Sequence, residues 1–543
     1  VSGETNENLF SSLAIPNRSL SYTKIVQVVK NSKQTAANYP HPENATTIIH
    51  DCRQRLLPFF SYFCILIIKP YAMKTISLKC GLMLAGLALP VMAYANRPTN
   101  FVVILMDDMG LGDIEANGAI GYSTPNINRL QSQSLTFTRY YAPQAVSGAS
   151  RAGLLTGCYP NRIGMHGAPG PNSERGISAE EMTIAEVLKQ KDYQCAAFGK
   201  WHLGDHRSFL PLQHGFDEFY GIPYSNDMWP NHPTVKFPDL PLIEGNDIVE
   251  YNPDQTQFTK NFTQRAVNFI KTNRNRPFFV YLAHPMPHVP LFVSDDFKGK
   301  SEQGLYGDVM MEIDWSIGTI FDTLKELKLD DNTVIVVTSD NGPWLNYGNH
   351  AGNTAGLREG KGVSFEGGQR VPCIVYWKGH TPEGGICHQM VSGIDLLATF
   401  ADIADAPMPP LKTDGVSLVP YLNGDYSKNL RTHFAYYYRA NDLEAVTDGH
   451  YKLIYPHKHR TYEGFEPGND GKPGKVDEWH QLTDTLLYDL RRDPGERYNI
   501  IRQYPEVVKR LNQYADSVKA DLGDNLSRTA GKGCRQPGQR PRE

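Results

Sequence analysis

Phe101-Val-Val-Ile-Leu-Met106-Asp107-Asp108 is the stretch on which the fold turns. Six apolar residues in a row, rich in β-branched side chains and without alternation, read as a parallel strand buried on both faces. The run ends abruptly in two carboxylates and a Gly-rich turn. Two further runs repeat the pattern. Thr333-Val-Ile-Val-Val-Thr338 ends in Ser339-Asp340-Asn341-Gly342, and Phe278-Phe-Val-Tyr-Leu-Ala283 ends in His284. Helical periodicity lies between and around them, over 183–191, 258–272 and 309–327. Strands alternating with helices predict an α/β domain with a large, mostly parallel central sheet flanked by helices. Ligands of such sheets bind beyond the carboxyl ends of the strands. Three separate strands here bring Asp-Asp, His and Asp-Asn to that one edge.

After about residue 430 the texture changes. Short, aromatic-rich, alternating runs at 433–438, 443–446 and 451–455 predict a small antiparallel sheet. A helix over 505–521 follows. The expected organisation is a catalytic domain over 96–430 and a smaller C-terminal α+β domain over 431–526. The Gly-, Pro- and Arg-rich stretch 527–543 reads as a disordered tail.

Met73 opens a segment with the features of a secretory signal. Lys74 and Lys79 give the basic start, Gly81 to Leu89 the apolar stretch and Ala93-Tyr94-Ala95 the cleavage site. A signal peptide over 73–95 predicts a mature start near Asn96 and a periplasmic or secreted, bacterial protein. Its apolar run is too short to span a bilayer, as is the patch from Phe59 to Ile68. The protein is therefore not expected to be an integral membrane protein, and residues 1–72 read as a non-native upstream extension. The formal net charge is −4 and no long basic run occurs before the tail, which argues against nucleic acid as a partner. The cysteines lack CxxC spacing and give no zinc ligand set.

Ser147-Gly-Ala-Ser-Arg-Ala-Gly-Leu-Leu-Thr-Gly157 carries the chemistry. It reads as a loop entering a helix, with Ser147 near an N-terminus that favours anions and Arg151 offering a fork for sulfate or phosphate oxygens. Helix capping by Ser147 or Ser150 would serve as well. The stretch resembles the sulfatase signature, in which Cys or Ser, one residue, Pro or Ala, one residue and Arg precede a Leu/Thr-Gly ending. Ser147, Ala149, Arg151 and Thr156-Gly157 match. Ser replaces the commoner Cys, Ala the commoner Pro, and Cys158 stands where a basic residue often follows. The contexts Gly199-Lys200-Trp201-His202-Leu203-Gly204, Gly360-Lys361-Gly362 and Leu487-Tyr-Asp-Leu490 resemble that family too. The likeness runs over about 99–520 and is nearest the arylsulfatase A-like branch of the alkaline-phosphatase-like superfamily.

The resemblance implies a sulfuric ester hydrolase whose nucleophile is a formylglycine derived from Ser147 by a sulfatase-maturating enzyme, of the radical type for a serine. It also implies Asp107, Asp108, Asp340 and Asn341 as ligands of Ca²⁺, with Mg²⁺ as second choice. That all-oxygen set suits a hard cation. Arg151, Lys200, His202, His284 and Lys361 match the sulfate-binding and proton-handling residues. In the implied mechanism Asp340 takes a proton from the nucleophile, His284 or Lys361 protonates the leaving alcohol, and His202 assists release of sulfate. His288 is a further candidate to line the site. The expected substrate is a sulfate ester of a sulfated saccharide, with Tyr224 to Trp229, the stretch to Leu242 and the tyrosines at 436–438 rimming the pocket or packing the loop. Two rivals stay open: a phosphoesterase of the same fold, which commonly has Asp-His in place of Asp340-Asn341, and a non-catalytic binder of sulfated glycans with Ser147 unmodified.

Overall fold

The computed structural model describes residues 97–541. The extension over 1–72 and the signal segment over 73–95 lie outside the described residues. In chain order the strands of the main sheet begin with β1 (Asn100–Met106) and β2 (Leu135–Tyr141). A two-residue strand, β3 (Arg175–Gly176), stands apart from that sheet. Then come β4 (Gln194–Lys200), β5 (Glu218–Ile222), β6 (Pro241–Glu244), β7 (Asp247–Tyr251), β8 (Phe278–Ala283), β9 (Thr333–Ser339), β10 (Arg370–Trp377), β11 (Gly385–Cys387) and β12 (Val391–Ser392). The order across the sheet is β11-β2-β10-β9-β1-β8-β4-β5-β6-β7, with β12 also paired to β2. The middle five, β9-β1-β8-β4-β5, are all parallel. β10 runs against both its neighbours, and β6 and β7 close the other edge antiparallel.

The unbroken apolar run of β1 has the expected cause. Phe101, Val103 and Leu105 point into one core layer, and Val102, Ile104 and Met106 into the other. All six are fully buried, each worth roughly 1.5–3 kcal/mol by removal from water. Helices cover both faces. Counting those of six residues or more, they are α1 (Pro125–Gln131), α2 (Ser147–Thr156), α3 (Ile184–Lys189), α4 (Phe258–Thr272), α5 (Leu305–Glu326), α6 (Asp395–Ile403) and α7 (Pro505–Leu522). Side chains of α2, α3 and α6 enter the first layer, and those of α1, α4 and α5 the second. α3 opens with a capping box, Thr183 and Glu186 each bonding the other's backbone N–H.

Beyond residue 430, β13 (Phe434–Tyr438), β14 (Asp442–Thr447), β15 (Tyr451–Ile454) and β18 (Leu486–Asp489) form an antiparallel sheet. Between the last two in sequence lies a hairpin of β16 (His457–Thr461) and β17 (Asp477–Leu482). α7 packs Val507, Leu511, Ala515 and Leu522 into the same core as the β13 and β14 side chains. That core continues into Tyr141, Val363 and Phe365 of the larger domain. Tyr436 and Tyr437 belong to it, fully buried, and do not rim a pocket.

The stretch expected as a disordered tail makes defined contacts near its end, although residues 525–530 are exposed. Gly538–Gln539 (β19) pairs antiparallel with β3. Arg535 forms a fork on Glu181, with Nε and Nη2 donating at 2.5 and 2.8 Å. Composition counted the arginines as solvated charge, but Glu181 and the Arg162 carbonyl, far away in sequence, supply acceptors. Among the described residues no helix is long and apolar enough to cross a membrane.

Candidate active site at the carboxyl edge of the sheet

Strand register sets the site. Met106 pairs with Ser339, Leu105 with Ala283, and Gly199 with Ala283. Asp107, Asp340, His284 and Lys200 therefore leave four adjacent parallel strands within one residue of the same level. Close approach is enforced at Gly199, where a Cβ would lie 2.0 Å from the Ala283 carbonyl oxygen and φ is +106°. Two non-glycine residues at this edge, Asp108 and His202, both take φ 63°. A left-handed backbone at such residues costs about 1–2 kcal/mol each and is a mark of functional edges.

α2 begins at Ser147, and every one of its residues is buried. Ser147 Oγ stands 2.9 Å from Asp107 Oδ1 and 3.3 Å from Asn341 Oδ1. One helical turn on, Arg151 donates from Nε to Asp340 Oδ2 at 2.9 Å and from Nη1 to the Lys200 carbonyl at 2.7 Å. Lys200 Nζ pairs with Asp107 Oδ2 and donates to Ser225 Oγ at 3.1 Å. Lys361 Nζ donates to Asp108 Oδ2 at 2.9 Å and lies over the Trp344 ring. Asn341 Nδ2 donates to Asp108 Oδ1 at 2.6 Å. Eight of the ten residues singled out from sequence thus converge through direct contacts; the ring of a ninth, His284, bonds only Ser316 among the described residues. The tenth, His202, is buried with neither ring nitrogen partnered.

Three carboxylates face three cations, all buried, and the charges are unevenly held. Burial pushes the Asp107 carboxyl up, but Lys200, His288, Arg151 and Lys361 more than offset this and hold it well below the usual carboxylate range. For Asp340 burial and the Asp107 charge win over Arg151 and Lys200, and it is pushed up to about 6. Burial lowers Lys200. Lys361 is raised, because Asp108 and Asp107 overcome its burial. Burial, then Lys200 and Arg151, press His202 well below the ordinary imidazole range. Burial alone takes His284 down to about 3. Both imidazoles are therefore neutral near pH 7.

The donor set fits a hard divalent cation. Burial first, and then the neighbouring Asp107 and Asp108 charges, push Asp340 towards protonation, a cost that a cation among the three carboxylates would relieve. His288, only a candidate from sequence, has Nε2 3.6 Å from Asp108 Oδ2 and forms a possible ligand group with Asp107 and Asp108. One imidazole against three carboxylates and an amide leaves the set oxygen-rich, which favours Ca²⁺ or Mg²⁺ over Zn²⁺.

A Ser at a helix start, facing a carboxylate cluster and flanked by Arg and two Lys, is the arrangement on which the comparisons bear. The sulfatase family matches residues 99–406, and the C-terminal region of aryl-sulfatase matches residues 431–539. This chain belongs to the sulfatase family. Human arylsulfatase A is 34% identical over 465 residues, covering 80% of this chain and 90% of that protein. Mouse N-acetylgalactosamine-6-sulfatase is 36% identical over 475 residues, 81% and 90% of the two chains. A solved Bacteroides thetaiotaomicron structure, from work on the metabolism of multiple glycosaminoglycans, aligns with TM-score 0.68 and 28% identity. It covers 78% of this chain and all of that one.

Two further residues take parts around the sulfatase site that sequence reasoning did not assign them. Ser316 Oγ, on α5, lies 2.9 Å from His284 Nε2 and orients that ring, with Nδ1 left unpartnered. A serine inside a long helical pattern carries no signal of such a role. Glu366, just after the Lys361 loop, is wholly buried. Tyr141 and Tyr436 donate to it, each at 2.8 Å, and Lys452 Nζ lies 3.0 Å away. Lys452 also pairs with Glu496 at 2.8 Å, and the Glu366 backbone N–H donates to Glu496 at 2.7 Å. This network ties the Lys361 loop to the smaller domain. Of the expected pocket rim, Trp229 and Asp227 line a 260 Å³ cavity with Tyr347 and His350, whereas Tyr224 is buried.

Proposed function

We propose that this sulfatase hydrolyses sulfate esters of saccharides outside the cytoplasm, with a formylglycine made from Ser147 and a bound Ca²⁺, Mg²⁺ being second choice. The observation that carries the reading is the position of Ser147 Oγ, 2.9 Å from Asp107 and at the end of a helix whose next turn presents Arg151. Asp107, Asp108, Asp340 and Asn341 would hold the cation, which supplies Lewis acidity at the hydroxyl on residue 147. The hydrated aldehyde supplies the second hydroxyl that a serine lacks.

The chain's own residues divide the remaining work. Arg151 and Lys200, buried and positive, stabilise charge on the sulfuryl oxygens. Lys361, kept protonated by Asp108, is the group able to give a proton to the leaving alcohol. His284, neutral and tied to Ser316, serves as a positioned hydrogen-bonding partner. His202, neutral with both nitrogens free, can accept a proton from residue 147. Asp340, pushed up to about 6, is the base expected from sequence, while Asp107 supplies the carboxylate oxygen 2.9 Å from Ser147 Oγ. Arg151 holds Asp340 Oδ2, and the Asp108 N–H donates to the Asp340 Oδ1 at 3.2 Å.

Support for a saccharide comes from the N-acetylgalactosamine-6-sulfatase relatives, and for export from the signal-like segment before Asn96. The maturation partner follows from the serine at 147. Produced beside a radical-type maturating enzyme, the tryptic peptide Tyr140–Arg151 should lose two hydrogens and react with hydrazide probes. Ser147→Ala should abolish turnover while keeping fold and metal. Fully active enzyme with an unmodified Ser147 would overturn the nucleophile assignment.

A further inference from the structure

Beside the Lys361 loop is a second, polar cavity of 220 Å³ lined by Gln144, Gly362, Tyr438, Arg439, Arg460 and Glu478, among others. Its volume is several times the ~30 Å³ share of a water molecule. Three links join it to the reaction centre. Gly362 follows Lys361. Gly167, also in its wall, accepts from the Ala149 N–H in the first turn of α2. Arg460, Lys361 and His288 all approach the one Trp344 ring.

The hydrogen-bonding capacity of this cavity is lopsided. Gln144 is 1% exposed, and its Nε2 has no partner. Arg439 Nε is buried and also unpartnered. Arg460 is neutralised by Glu478 through two 2.9 Å contacts. For Arg439, by contrast, no carboxylate among the described residues comes within ion-pair distance; its guanidinium lies over the Trp479 ring and donates to the Glu478 carbonyl. Unmet buried donors are costly unless an acceptor arrives. Arg439 and Ala440, in the three-residue turn between β13 and β14, moreover take φ of 41° and 70°, a left-handed conformation more usual for Gly or Asn. Holding an arginine there costs backbone energy.

We propose that Arg439 and Gln144 form a subsite for an acidic group, a carboxylate or a second sulfate, carried by the saccharide that leaves the sulfate ester. The proposal rests on the saccharide-sulfatase reading and adds to it that the preferred substrate is doubly anionic. Arg439 acts as a specificity residue and takes no part in the bond cleavage.

The test is a binding comparison on the chain with Ser147 unmodified, so that nothing turns over. Calorimetry would measure three ligands: a sulfated hexosamine joined to a uronate, its carboxyl-reduced counterpart, and the counterpart bearing a second sulfate instead. The variant is Arg439→Asn, which suits the left-handed turn and should fold at least as stably as the parent; Arg439→Lys keeps the charge. Wild type should bind one or both dianionic ligands about 10- to 100-fold more tightly than the reduced one, the range for a charged hydrogen bond. Whichever ligand gains identifies carboxylate or sulfate as the group read. Arg439→Asn should erase that preference, Arg439→Lys should restore part of it, and both matured variants should keep wild-type turnover of 4-nitrophenyl sulfate. Equal affinity for all three ligands, or a loss in Arg439→Asn that is the same for all three, would overturn the subsite. A matured wild-type enzyme that cleaves no sulfate ester would sink the activity reading, and the binding comparison would still decide this one.

Discussion

Replacing Lys452 by Met tests the link between the two domains most directly. Its ammonium lies between Glu366 and Glu496, with all three side chains fully buried. Deleting one partner of a buried pair typically costs about 3–5 kcal/mol, because the remaining charge is left without compensation. The pH dependence separates this from a packing defect. Glu366 is lowered, since Lys452 and Arg370 outweigh its burial. Glu496 is pushed up to about 7 by burial, against the pull of Lys452. In the unfolded chain a glutamate titrates near 4.3, so between that value and about 7 the folded state holds the extra proton. This group's contribution is thus fully present at low pH and falls by roughly 3 kcal/mol as pH rises through that window. Removing the lysine drives both carboxyls further up, and acid then neutralises them. Urea unfolding should show Lys452→Met destabilised by about 3–5 kcal/mol at pH 8 and much less at pH 5. Adding Glu496→Gln should recover part of the loss at pH 8. An equal loss at both pH values, or none, would refute the electrostatic account.

Three further outcomes follow from the site. Purified protein should hold about one Ca²⁺ or Mg²⁺ per chain by elemental analysis, and Asp108→Asn should lose it; stoichiometric zinc would favour the phosphoesterase rival. Lys361→Ala and His202→Ala should each cut sulfate-ester turnover by roughly 10²–10⁴-fold with an unchanged circular dichroism spectrum, and wild-type rates in either would remove that residue from the chemistry. N-terminal sequencing of exported protein should read from at or near Asn96, and a chain retaining residues 1–72 would contradict the signal assignment.

The main sheet was legible because its central strands advertise themselves. Parallel strands buried on both faces must be apolar throughout, and the polar residues that end β1, β8 and β9 are those the structure gathers. β10 was not legible as an antiparallel strand wedged between β9 and β2, since strand direction leaves no mark in a continuous apolar run. Ser147 and Arg151 stood at a helix start suited to an anion, whereas Lys200, His202 and Lys361 were named only through the resemblance to the sulfatase family. Ser316, Gln144 and Arg439 escaped because their roles depend on which atoms lack partners, a property that exists only after folding. Tyr436 and Tyr437 read equally well as rim or as filler, and the Glu366 carboxylate and the Gly523 carbonyl, which take their hydroxyls, decide for the interior.

The closing strand β19 sets a limit on when this enzyme can be complete. Gln539 pairs with Arg175, and Arg535 with Glu181, across more than three hundred residues of intervening chain. Neither pairing can exist until residues 535–539 have been synthesised, and contacts of such wide separation are slow to find. The larger domain can collapse early around β1, but the stretch from β3 to α3 waits for residues 535–539 before it gains these partners. A protease that nicked the exposed end before that moment would leave a body with its main sheet formed and this seam unsealed.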